Sequence, residues 1–537
     1  MSLTLHLYCG HRRGAFDARA PCTLFVPRCT KQKEIVLSSA ANLTDSEIGL
    51  IMGMLATYPR MSNQAILSYF SRPGRDINHR VIAEIEGGGH KRPGVRPATC
   101  IEVEQFIRSA LHWPWLSPSI FVGGSTHPPA TPWRLMLDWW PVGQGLFSSG
   151  GVLGEQGPPV NWVYDCGTTS SDALLDGALR AFFRQQNLIN ASNVRLCVLS
   201  HFDRDHVSGI VRLIEGIPVA TLLLPYVPLW QRMVIALAEG VEADDPLLGF
   251  YLDPVAFLAG GGREGRIGEI VFVPGAGPED SPSSEPEDFE GGPSGGEIDL
   301  KVEQGPPPDE ATNDPAATSH AGVQVRFLRP AGRILAPLLW EFVPYNDANL
   351  FPSATPAFLA AAGPLLTTLL HDPVNRADAL TNLKAVYDRH FGSTSELRNL
   401  ISLFLYSGPL GRLRPLIGTP GARADSASTE HNRCAQIYTG DGTLDAGPRF
   451  DSFERFFSGS GRLARTAFFQ VMHHGSRDNW HQGIAAKVRP SASLFSSDPA
   501  HRQFGHPHGE VLRDFWAYGA VQIDRKTGYR FDCWLSA

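Results

Sequence analysis

Long apolar runs are missing from this 537-residue chain. A helix needs ~18 or more uncharged apolar residues to span a bilayer, and the longest stretches here, such as Thr221 to Trp230, stop well short of that. No membrane partner is therefore expected. The opening MSLTLHLYCGHRRG has no charged leader followed by an apolar core and a small-residue cleavage site, which predicts a cytoplasmic protein. Cysteine is scarce. The eight (Cys9, Cys22, Cys29, Cys100, Cys166, Cys197, Cys434, Cys533) contain no CxxC pair and no regular spacing, so buried or free thiols are expected in place of a disulfide framework. No internal repeat is visible. Positive charge is also short: 47 Lys and Arg stand against 54 Asp and Glu. The resulting −7 argues against a non-specific polyanion binder as a whole.

What is present is unevenly distributed. A single hydrophobic core stops growing near roughly 250 residues, so a chain of this length is expected to form two or three domains. Residues 1–113 carry 14 Lys and Arg against 9 Asp and Glu, which leaves a basic front and an acidic remainder. A Pro/Trp cluster from Trp113 to Pro118 closes this first unit, giving expected domains 1–118 and 130–537. Within the first, Thr44 precedes Glu47 by three residues, a capping box that opens a helix over Ile48 to Ala56. A second helix is expected from Asn63 to Phe70, and a third from Asp76 to Ile85, where Ile77, Val81, Ile82 and Ile85 share a face. Three short helices joined by tight turns fit a helix-turn-helix, with Arg75, Asn78, His79 and Arg80 on or beside the face that meets DNA. They fit equally a small bundle that only contacts the rest of the chain.

A second break lies at residues 276–320, rich in Pro, Gly, Ser and acids and poor in aromatics. Such a composition buries too little apolar area to offset ordering, which predicts a disordered or loosely held surface segment. It sits in a longer insert, about 235–396, whose part from 335 to 396 is expected to be helical.

The residues that carry chemistry follow an apolar, strand-like run, Leu196 to Leu199. His201, Asp203, Asp205 and His206 come within six residues of one another, then Gly209 lets a helix begin. Ligands on a loop at a strand end can converge without bending the strand. In this spacing His201 and Asp203 can face one cation while Asp205 and His206 face another. Two-metal hydrolysis needs such a division, to polarise a phosphoryl oxygen and lower the pKa of a water.

His201-x-Asp203-x-Asp205-His206 resembles the HxHxDH signature of metallo-β-lactamases with its second His replaced by Asp, a variant similar to the hydrolase domain of the DNA-uptake channel protein ComEC and its soluble relatives. Further segments agree in order. Val142-Gly143-Gln144-Gly145 and Val163-Tyr164-Asp165-Cys166-Gly167 resemble the family's opening DVGQGD hairpin and "IDCG" strand end. Asn399 to Leu405 with Tyr438-Thr439-Gly440-Asp441 is similar to "NxxS" and "LTGD", Val471 to Ser476 to "vpHHGS", and Phe504 to His508 to "YGHPH". The resemblance implies an αββα metallo-β-lactamase sandwich, with the long insert and a small, mostly helical N-terminal domain added to it. It also implies two divalent ions, Zn²⁺ or Mn²⁺. By the same resemblance Asp441 bridges the ions and one of His473 and His474 is a ligand. His474 is favoured for that place, with His473 beside the scissile phosphate, and Asp205 counts among both catalytic and metal-binding residues. His506 and His508 would contact phosphate or donate the leaving-group proton.

The chain departs from the pattern in places. Pro141 and Leu146 stand where the family has Asp on either side of VGQG. The separate histidine expected between the first and fourth motifs is not evident among His320, His371, His390 and His431. The expected function is a metal-dependent phosphodiesterase, a nuclease acting on DNA, with nucleic acid as partner. Two alternatives remain: a hydrolase of a small phosphodiester or lactone, and a DNA-binding regulator with a degenerate hydrolase domain.

Overall fold

The capping box read at Thr44 is formed in the computed structural model, which describes, apart from short gaps, residues 43–106, 133–283, 298–391, 402–415 and 433–536. Thr44 accepts from the Glu47 backbone while Glu47 reaches back to the Thr44 N–H, and the helix Asp45–Thr57 follows. With Asn63–Ser68 and Arg80–Glu86 it encloses a core of Ile51, Met54, Ile66, Leu67, Ile77 and Ile82, each side chain contributing roughly 1.5–3 kcal/mol by burial. The third helix thus begins at Arg80 among the described residues, and Arg80 is exposed. Arg75, Asn78 and His79 lie outside the described residues. This small unit, drawn mainly from the first 125 residues, is compact in its own right.

Among its described residues the large unit holds β1 (Trp133–Trp139), β2 (Phe147–Leu153), β3 (Val160–Cys166), β4 (Val194–Val198), β5 (Val219–Pro225), β6 (Ile267–Val273), β7 (Lys301–Val302), β8 (Gln304–Gly305), β9 (Gln324–Leu328), β10 (Ile334–Ala336), β11 (Trp340–Tyr345), β12 (Phe404–Pro409), β13 (Arg414–Pro415), β14 (Ala435–Tyr438), β15 (Thr466–Gln470), β16 (Ala492–Ser496), β17 (Ala520–Ile523) and β18 (Tyr529–Ser536). One sheet runs β13-β18-β1-β2-β3-β4-β5-β6-β9-β8, the other β17-β16-β15-β14-β12-β11-β10-β7.

Alternation along β3 shows how the layers form, since successive side chains of a strand leave on opposite faces. Trp162 and Tyr164 face the second sheet, stacked on Trp340 at 5.6 Å and on Tyr438 at 4.6 Å between ring centroids. Val163 joins an outer core covered by the helix Asp172–Leu188, which buries Leu175, Ala178, Leu179 and Phe182 at helical spacing. Beyond the second sheet the helix Gly447–Ser458 buries Phe450, Phe453, Phe456 and Phe457. The result is a helix–sheet–sheet–helix sandwich, the fold that the resemblance implies. Among the described residues no helix is long and apolar enough to cross a membrane.

Two expectations need correcting. The 276–320 segment is not loose throughout: Lys301–Val302 pairs with β10, Gln304–Gly305 pairs with β9, and Asp314 accepts both terminal nitrogens of buried Arg232 at 2.8 Å. Composition hid this because the anchor is a single ion pair instead of an apolar stripe. Residues 284–297 lie outside the described part. Within 335–396, Trp340–Tyr345 is a buried strand, and helix begins at Pro356, running Pro356–His371 and Arg376–Phe391. An apolar run of six residues has no periodicity that separates strand from helix.

Candidate metal centre

Chain segments leaving the C-terminal ends of β4, β14 and β15 deliver the donor groups, an edge where open α/β sheets gather ligands. β4 belongs to the first sheet, β14 and β15 to the second. After β4 come His201, Asp203, Asp205 and His206. Asp441 follows β14, where Gly440 at φ +52° turns the chain; a Cβ there would lie 2.4 Å from Ser402 Oγ. His473 and His474 follow β15, both at positive φ. Such strained backbone at non-glycine residues persists only where its surroundings hold it.

The glycine hairpin after β1 grips this loop through its backbone. Leu146 N–H donates to Asp205 O at 3.0 Å, and Gly167 N–H to Leu146 O at 2.9 Å. Gly145, at φ +146°, approaches so closely that a Cβ would stand 2.5 Å from Gly167 O. Leu146 itself is fully buried. The carboxylates missing at 141 and 146 therefore leave the hairpin's mechanical part intact.

Three imidazoles are fixed by their Nδ1 sides. His206 Nδ1 lies 2.7 Å from Asp165 Oδ2, His474 Nδ1 is 2.5 Å from the Ser496 carbonyl, and His201 Nδ1 is 2.7 Å from Ser200 Oγ, whose proton goes to Asp165. Each ring thereby turns Nε2 inward, the arrangement typical of metal-ligating histidines. Asp165 and Ser200 are functional residues that the sequence quoted only as a strand end; a carboxylate one residue before a Cys-Gly turn was the available signal.

Asp441 sits between two sets of groups. Its Oδ1 is 3.0 Å from His206 Nε2 and 3.4 Å from His474 Nε2, and His474 Nε2 is 3.0 Å from Asp205 Oδ2. Its Oδ2 is 3.9 Å from His201 Nε2 and 3.3 Å from His473 Nε2, while His201 Nε2 is 3.8 Å from Asp203 Oδ2. Donor atoms of His201, Asp205, His206 and Asp441 all fall within 4.8 Å of one another. Two buried atoms of the cluster, His201 Nε2 and Asp203 Oδ1, lack a hydrogen-bond partner. Each such orphan costs about 1–3 kcal/mol. A divalent cation satisfies them together, and the imidazole and carboxylate donors fit Zn²⁺ or Mn²⁺.

Without a cation the charges balance through protons. Burial opposes charge on His206 and His474, yet Asp441 and its neighbouring carboxylates raise both rings above the ordinary histidine value. Burial also opposes ionising Asp205, but His206 and the hydrogen bond from His474 hold it down to about 2. Burial drives Asp203 well up, aided by Glu239 and Asp205, and lowers His201 to about 3, helped by His206.

His506 lies beside the cluster, its ring 5.5 Å from His473 and 6.3 Å from His474, and its Nδ1 is buried without a hydrogen-bond partner. Burial and the neighbouring imidazoles lower it to about 3. His508 stands one ring farther out, 5.0 Å from His506, with Nδ1 accepting the Arg477 N–H. None of His320, His371 and His390 belongs to the metal-competent group among the described residues; His431 lies outside them. Ser402, in the segment entering β12, donates to Thr439 O and accepts from Asp441 N–H.

No protein-family model matches the chain. No curated protein matches it either. Among solved structures, the metallo-beta-lactamase fold protein YhfI from Bacillus subtilis aligns with 75% of this chain and 99% of its own at 11% identity, with a TM-score of 0.28.

Proposed function

We propose that this chain is a metal-dependent phosphodiesterase, acting as a nuclease on DNA. The αββα fold and the His/Asp donor set are those of a metal-dependent hydrolase; the substrate is the proposed step. The observation that carries it is the division of donors about Asp441, with His206 and His474 on one oxygen, His474 also meeting Asp205, and His201 and His473 on the other. Divalent ions held there supply charge neutralisation for a phosphoryl group and a more acidic water.

The chain's own part is to position and shield. Asp165, Ser200 and the Ser496 carbonyl keep the imidazoles turned inward. His506, neutral near pH 7, is suited to hydrogen-bond a phosphate oxygen more than to protonate a leaving group. Beside it a run of nearly parallel rings leads away from the centre: His506 to Phe504 at 6.0 Å and 24°, then Phe504 to His501 at 5.1 Å and 19°. Stacked aromatic rings hold unpaired bases, which supports nucleic acid over a small ester. In the basic N-terminal unit, Arg80 and the neighbouring Arg75, Asn78 and His79 are proposed to contact phosphates or base edges.

Purified protein loaded with Mn²⁺ or Zn²⁺ is expected to cleave labelled single- or double-stranded DNA. Cleavage no greater than that of an Asp205→Ala control overturns the assignment.

A further inference from the structure

The sequence lacks the histidine expected between the first and fourth motifs, and among the described residues none of His320, His371 and His390 joins the metal-competent group. We infer that His473, held by Asn479, takes the vacant coordination place at the ion shared with His201, Asp203 and Asp441. This inference rests on the metal-centre reading above and assigns His473 to a cation in place of the scissile phosphate.

Distance is the first support. Donors bound about 2.0–2.2 Å from one tetrahedral ion sit about 3.3–3.6 Å apart. His473 Nε2 is 3.3 Å from Asp441 Oδ2, inside that range, and the same oxygen faces His201 Nε2 at 3.9 Å. The two longer edges, this one and His201 to Asp203 at 3.8 Å, need only a few tenths of an ångström of closure.

The second support is the way the ring is held. Asn479 is buried, and its Nδ2 donates to Asp441 O at 3.1 Å and to Thr443 Oγ1 at 3.0 Å. That fixes the amide orientation, so its Oδ1 is the acceptor facing His473 Nδ1 at 2.6 Å. Nδ1 is thereby the held side of the ring, and Nε2 is the atom turned toward Asp441 Oδ2. The arrangement repeats the one at His201, His206 and His474, each with Nδ1 held and Nε2 turned inward. Asn479 also ties Asp441 and His473 to one amide, so both reach the ion in a fixed relation.

The third support is backbone. His473 and His474 adopt φ +44° and +58°, and His473 N–H donates to Gly440 O at 3.0 Å. Consecutive left-handed residues reverse the chain sharply enough for neighbouring side chains to reach opposite oxygens of Asp441.

The test is metal content together with Co²⁺ absorption, on full-length protein. Wild type is expected to hold two ions per chain, and His473→Ala one, with the visible Co²⁺ bands reduced by about half. Asn479→Asp, which keeps the acceptor, is expected to retain two ions, whereas Asn479→Leu weakens the second about 10–100-fold. Two ions retained in His473→Ala, with unchanged Co²⁺ bands, overturn the inference and leave the metal-centre reading standing. Less than one ion in wild type overturns both. Circular dichroism on each variant separates ligand loss from misfolding, and loss of one ion with an intact spectrum supports the assignment.

Discussion

Asp165 touches no proposed substrate, yet two of the inward-turned imidazoles depend on it. Its carboxylate accepts from Ser200 N–H and Oγ at 2.7 Å each and from His206 Nδ1. Asp165→Asn is expected to lower metal affinity about 10–100-fold while leaving the ion count at saturation unchanged, measurable by competition with a fluorescent chelator. The protonation pattern gives a second prediction. A histidine raised in the folded state stabilises the fold below its unfolded pKa, and that contribution fades as pH climbs through the folded value; His206 and His474 are of this kind. Asp205, held down to about 2, works in reverse, contributing above the usual carboxylate range and losing its effect as pH falls toward its folded value. Metal-free protein is therefore expected to lose Tm on the alkaline side of neutrality more steeply than metal-loaded protein. Metal uptake at pH 7 is expected to release protons, seen as buffer-dependent heats in titration calorimetry. Equal heats in buffers of different ionisation enthalpy would contradict it.

At the scale of elements, two anchors decide what holds the site. The pair Arg232–Asp314 is buried on both sides, and breaking such a pair by removing one partner costs about 3–5 kcal/mol. Asp314→Ala is thus expected to lower Tm by several degrees while leaving metal content intact. The glycine hairpin is the other anchor: Gly145→Ala puts a Cβ against Gly167 O and shifts the Leu146 grip on Asp205, so activity is expected to fall more than stability. How legible these elements were depended on periodicity and spacing. The helix after Thr44 announced itself through a capping box, and the ligand loop through four donors in six residues. Trp340–Tyr345 could not be told from helix, because a fully buried strand shows no alternation. Asn479 was unreadable as a functional residue, and Asp165 readable only as a carboxylate at a strand end, for another reason: their role lies in which nitrogen of a distant histidine they hold.

For the whole molecule, the small unit has its own core and the large unit contains all the donors. Chain beginning at residue 126 is therefore expected to keep its metal content and to hydrolyse a small phosphodiester such as bis(p-nitrophenyl) phosphate undiminished. If the basic front supplies DNA affinity, that shortened chain also loses most of the salt dependence of DNA binding.

The donors hang from two separate sheets, His201 to His206 from one and Asp441 with the paired histidines from the other. Ions placed there would act as a rivet through the seam, so that metal binding and cohesion would draw on the same bonds. Metal-free protein is expected to part more readily along that seam, and so to be cut faster by an added protease than metal-loaded protein.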